Sequence, residues 1–107
     1  MSDSRYFVSS SRAVRQRFRG SLVAAEANGE LEMAIRAGDW MLGELARTPL
    51  EFGESRDELP VLGLKVRFAF VRPLAMYFAV NEENHVVFLM SVKYSKRTPP
   101  LHENKRG

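Results

Sequence analysis

The chain has 107 residues, 45% of them hydrophobic, with no cysteine, two histidines and a net charge of +3. This is the size of one domain with enough apolar content to bury a core, and the cysteine count excludes a disulfide framework and a thiolate metal site. No apolar run approaches the roughly 18 residues of a membrane helix, and the N-terminal MSDSRYFVSS lacks the apolar stretch of a signal peptide, so the expectation is a cytoplasmic protein with no membrane partner. His85 and His102 cannot form a zinc site unless several carboxylates join them, and neither a metal nor a cofactor is expected.

Charge is unevenly spread. Residues 1–19 carry a net +4, residues 93–107 another +4, and residues 20–92 a net −5. Basic ends of this kind either attract nucleic acid or acidic partners through counterion release, or simply solvate the surface.

In chain order, Tyr6-Phe7-Val8 is a short β-prone run, read as an edge strand. Ser10 or Ser11 can then cap a helix. Val14, Phe18, Leu22 and Ala25, spaced four, four and three apart, form its apolar stripe, while Arg12, Arg15 and Arg19 share another face. Asn28-Gly29 supplies its left-handed end. A second helix starts near Glu30, with Leu31, Ile35, Leu42 and Leu45 on its apolar face and Ala34, Gly38 and Ala46 beside them. Trp40 lies off that stripe, where it either caps the end of the core or faces a partner. Pro49 disfavours helical backbone at Thr48, so the helix ends near Arg47, whose charge suits a helix C-terminus. Leu50 and Phe52 then fold back over the helix end, Gly53 permits a turn, and ESRDE reads as a solvated connector.

Strands follow. In LGLKVRFAFV, Leu64, Val66, Phe68 and Phe70 alternate with Lys65, Arg67, Ala69 and Val71. Arg72-Pro73 breaks the run. LAMYFAV, the loop NEEN at Asn81–Asn84 and HVVFLMSVKY then read as a hairpin. In that register Ala79 faces Val86, Tyr77 faces Phe88 and Ala75 faces Met90 on one side, and Phe78 faces Val87 and Met76 faces Leu89 on the other. Both faces are apolar. One packs on the helices; the other needs a partner chain, the tail or a ligand, which marks Ala75, Tyr77, Phe88 and Met90 as partner-binding residues. The fold class is therefore α+β: a short N-terminal strand, two antiparallel helices and a three-stranded antiparallel meander in one domain over residues 1–97, with a flexible basic tail over 98–107.

Motifs for catalysis are few: the sequence has no Gly-rich phosphate loop and no nucleophile elbow. Glu82, Glu83 and His85 sit at a hairpin tip, where charged residues are ordinary turn formers. Lys65 and Arg67 project from one strand face, and Lys93, Tyr94 and Lys96 follow the last strand as candidate nucleic-acid contacts. These cations either converge on a phosphate and stabilise charge during RNA cleavage, or Lys65 and Arg67 are the solvent side of a half-buried strand.

The element order, the connector L-x-x-x-P-L-x-F-G-E and the hairpin RPLAMYFAVNEENHVVFLMSV over residues 5–97 resemble the RelE/ParE superfamily of small toxins from type II toxin–antitoxin systems, the plasmid-stabilisation type included. The resemblance implies one of two activities. Ribosome-dependent members cut mRNA with clustered Lys, Arg and Tyr residues and no metal. ParE-type members bind DNA gyrase and cut nothing. Both kinds are neutralised by an antitoxin that wraps them. Carried over, Lys65 and Arg67 match the basic pair before the hairpin, and Arg72 and Arg97 complete a catalytic set with Tyr94 as base or stacking platform. The arginine of the family's YRV is Ala75 here, and its GHR is replaced by KYSKR. Three readings follow: a toxin-like protein that works by protein binding, a metal-independent mRNA endoribonuclease, and a non-toxic homodimer.

Overall fold

The computed structural model describes residues 5–59 and 62–96. Seven elements follow in order: β1 (Phe7–Ser10), α1 (Arg12–Ala27), α2 (Leu31–Arg47), β2 (Glu54–Leu59), β3 (Leu64–Val71), β4 (Leu74–Asn81) and β5 (Val86–Tyr94). The α+β class and the β3-β4-β5 meander stand as expected from sequence. The sheet is larger and mixed: five strands in the order β1-β5-β4-β3-β2, with β1 parallel to β5 and the other pairs antiparallel. Arg97 and the tail after it lie outside the described residues.

The helix ends form where local chemistry puts them. The Ser11 side chain accepts from the Val14 N–H, closing the first turn of α1. At the other end Gly29 adopts φ +74, a left-handed conformation that costs an L-residue about 1–2 kcal/mol. Thr48 caps α2, its N–H bonding to Glu44 O and its hydroxyl donating to Glu44 Oε1. Pro49 is buried, and the N–H groups of Glu51 and Phe52 return to Thr48 O, so the chain turns back at once.

The core lies between the helices and one sheet face. Met41 and Leu45 of α2 meet Leu74, Met76, Phe78, Val80 and Val87 of the sheet, all fully buried; each such side chain contributes about 1.5–3 kcal/mol by leaving water. Phe18 lies over Gly38, where a Cβ would fall 2.8 Å from the ring. This is the close approach that a glycine inside a helix permits, and it draws α1 onto α2.

Four sequence expectations are corrected. ESRDE is not a solvated connector: Glu54–Leu59 pairs with β3 as an edge strand, with a bulge between Ser55 and Asp57. Its charges are the usual protection of a sheet edge. Second, Ile35 is exposed; Leu45, Ala34 and Gly38 are buried and Leu42 packs against the core as expected, but Ala37 and Met41 take the place of Ile35 on the buried face. Third, Ala69 belongs to the core and Val71 packs against it. The face of β3 that carries Lys65 and Arg67 therefore points to the helices, and Val66, Phe68 and Phe70 point away. Fourth, the hairpin is shifted. Asn81 pairs with Val86, Ala79 with Phe88 and Phe78 with Leu89, and after a bulge Tyr77 pairs with Ser91 and Ala75 with Lys93. The loop keeps its four residues but moves one position along the chain, so β4 ends at Asn81, β5 starts at Val86 and each cross-strand partner on the tip side of the bulge changes by two; Asn81 Oδ1 accepts from the Asn84 N–H and His85 takes φ 54 to close the loop.

Candidate protein-binding site

The sheet face that points away from the helices is a second apolar layer. Phe68, Ala75 and Ala79 are buried there, and cross-strand register explains it. Ala79 sits between Val66 and Phe88, and Ala75 between Phe70 and Lys93, so larger neighbours flank each small side chain. Around this centre the layer opens to solvent: Phe88 is 41% exposed, Met90 45% and Phe7 69%. Met90 is the residue that the β5 bulge leaves without a partner on β4, and a bulge re-aims its side chain outward. Lys93, exposed beside Ala75, adds a cation to the same face.

Arg56, in the run ESRDE that composition alone marks as solvated, belongs to this face. It is the bulged residue of β2, and its guanidinium carbon lies 5.1 Å from the Phe68 ring centre and 6.0 Å from that of Tyr77. The two rings are 4.8 Å apart, so the cation rests on a paired aromatic surface. One clue was present in the sequence: an arginine inside a charged, β-compatible run next to an aromatic strand. Tyr77, Phe88, Met90 and Ala75, the four expected partner-binding residues, all lie on this face. Ala75 forms part of its buried floor, Tyr77 is half-buried, and Phe88 and Met90 form the exposed part.

The basic residues lie elsewhere and apart. Arg67 donates from Nε to Phe52 O at 2.9 Å and from Nη2 to Gly53 O at 3.0 Å, so it clamps the connector to the sheet. Lys65 pairs with Glu82 at 3.3 Å. Arg72 stands beyond the other end of β3, about 23 Å along the strand from Lys65 at roughly 3.3 Å per residue, with its guanidinium on Glu30 Oε2 at 3.4 Å and Lys96 O at 3.3 Å. Tyr94 donates to the other oxygen of Glu30 at 2.6 Å. That hydrogen bond, followed by burial, raises the Tyr94 pKa above its ordinary value, so the hydroxyl holds its proton rather than giving it up. The structure thus brings Arg72, Tyr94 and the Lys96 backbone together around Glu30, and sets Lys65 and Arg67 apart from them. Arg97 lies outside the described residues.

Trp40 reaches the core at one edge. Its ring meets Phe52 edge-on at 5.5 Å, and Phe52 stacks on Phe78 at 6.0 Å, a ladder from the surface of α2 into the core; the rest of the indole is exposed. Among the described residues no three histidines or carboxylates gather as metal ligands, and no helix is long and apolar enough to cross a membrane.

No protein-family model and no curated protein matches the sequence. Among solved structures, a chain of the chromosomal ParDE TA (toxin–antitoxin) system from P. aeruginosa superimposes with a TM-score of 0.60 over 87% of this chain and 99% of that one, at 12% sequence identity. The fold is therefore RelE/ParE-like, as the element order and hairpin suggested.

Proposed function

We propose that this chain is the toxin-like component of a toxin–antitoxin pair, that it works through protein binding, and that a cognate antitoxin holds it inactive by covering the outer sheet face. The observation that carries the reading is the Phe7, Phe88 and Met90 cluster, exposed around a floor of Phe68, Ala75 and Ala79. Exposed aromatics and methionine with neighbouring arginine are the composition of a protein interface centre. The fold shared with a ParDE system supports the kind of partner.

The endoribonuclease reading needs Lys65, Arg67, Arg72 and Arg97 to act on one phosphate. The first two point to the helix side, away from the outer face, and each already has a structural partner. Arg72 is engaged at the opposite end of the strand. We infer that Lys65, Arg67 and Arg72 serve the fold.

The test is inducible expression of the chain with and without the protein encoded beside it, reading growth, translation and DNA supercoiling together. The proposal expects growth arrest relieved by the neighbour, and a stable complex on co-purification. Ribosome-dependent mRNA cleavage lost on Lys65→Ala would establish the endoribonuclease instead. Normal growth together with a dimeric mass in solution would establish a homodimer that uses this face on itself.

A further inference from the structure

We propose that the apolar gap beneath α1 is a binding site for a small amphiphilic carboxylate, its hydrocarbon in the gap and its carboxylate on Arg15. Three observations point there.

The gap has a volume of about 380 Å³. Its walls are Phe18 and Leu42 from the helices and Met76, Leu89 and Val92 from the sheet. Protein interiors are packed to crystal density with few voids larger than a water molecule. A mostly apolar lining offers water few partners and favours hydrocarbon.

The polar residues of the lining are Ser10 and the exposed Arg15. Arg15 donates from Nη1 to Ser10 O at 2.6 Å; a guanidinium has five N–H donors in a fixed fork, and a carboxylate is the acceptor that matches the fork. Arg12 and Arg19, three before and four after it, lie on the same side of the helix. α1 has no acid in its first turn, and its first acid in sequence is Glu26. Ser10 and Arg15 also lie at the N-terminal, positive end of α1. Among the described residues the lining holds no acid, so its one charge favours an anion.

The size fits a small ligand, since pockets for drug-sized molecules span roughly 300–1,000 Å³ and this one is near the lower bound. A single medium-length acyl chain or one substituted ring fills it. A second cavity makes a useful contrast. It encloses about 470 Å³ beside Trp40, but its charges cancel in the Arg36–Glu32 and Arg72–Glu30 pairs, and it selects no ligand charge.

The site is independent of the outer sheet face, and its test needs no partner protein. Decanoate, decanol and decylamine are titrated below their aggregation concentrations into the full chain, with calorimetry and thermal unfolding as readouts. One saturable site is expected, with decanoate bound about tenfold more tightly than decanol and decylamine weakest. In Arg15→Gln, an exposed change that leaves the fold intact, decanoate falls to the affinity of decanol. Val92→Phe and Leu89→Phe fill the gap and abolish binding of all three. Absence of saturable binding, equal affinities for the acid and the alcohol in the unmodified chain, or unchanged binding in a folded gap-filled variant would each overturn the proposal. Loss of a protein partner from the gap-filled variants, without any decanoate site in the parent, would reassign the gap to a side chain of that partner.

Discussion

The Tyr94 hydroxyl donates a 2.6 Å hydrogen bond to Glu30 Oε1, 64 positions earlier in the chain. It ties the end of β5 to the corner between α1 and α2, and Arg72 completes the link from the β3–β4 turn. The bond raises the Tyr94 pKa above its ordinary 10.0. A raised folded-state value means that its stabilisation is fully present below pH 10.0 and is lost as pH climbs through the folded pKa, because the unfolded chain ionises first. Unfolding midpoints measured between about pH 8 and 11 should therefore fall more steeply for the parent than for Tyr94→Phe. Parallel profiles would show that the bond is not made in solution.

Gly53 and Gly29 have nearly the same backbone, φ +75 and φ +74, but different surroundings. A Cβ at Gly53 would lie 2.3 Å from Phe68 O, whereas nothing lies within 4 Å at Gly29. Gly29→Ala should cost about 1–2 kcal/mol, the left-handed penalty alone. Gly53→Ala adds a clash with β3 backbone and should cost at least about 1 kcal/mol more. Urea unfolding of the two variants checks the difference.

Lys65 and Arg67 should part company on mutation. Lys65→Ala removes a surface ion pair, worth about 0–1 kcal/mol. Arg67→Ala leaves the Phe52 and Gly53 carbonyls without their donor and should cost about 1–3 kcal/mol. Chemical unfolding gives the stabilities, and growth on induction gives the function. Folded Lys65→Ala should remain as active as the parent; a catalytic lysine would abolish the effect without changing stability.

Much of this fold was legible because its boundaries rest on local chemistry. Ser11, Asn28-Gly29 and Thr48-Pro49 each impose a backbone geometry on their neighbours, and all three helix ends read from them stand. The sheet was legible only where alternation was strong. β2 was missed because an edge strand made of Glu, Ser, Arg and Asp has no apolar period; pairing with β3 makes it a strand. The facing of β3 was inverted for a related reason. Two apolar sheet faces give alternation no way to choose the inner one, and Arg67, which looks solvent-facing, finds backbone acceptors at Phe52 and Gly53 in the connector after α2. The second apolar face was foreseen from the hairpin, but the place of Arg56 on it was not, since its position depends on a bulge. The basic residues could be named from sequence, but their separation could not, because Lys65 and Arg72 stand at opposite ends of one strand.

The most direct test is the affinity of the chain for the protein encoded beside it, compared with that of the double variant Phe88→Asp, Met90→Asp. Both residues are exposed, so the unfolding midpoint should stay within about 1 kcal/mol of the parent. Loss of two central interface side chains, with charge put in their place, should weaken the complex by at least about 100-fold. A folded double variant that binds its partner as tightly as the parent would contradict the assignment of the outer sheet face as the working surface.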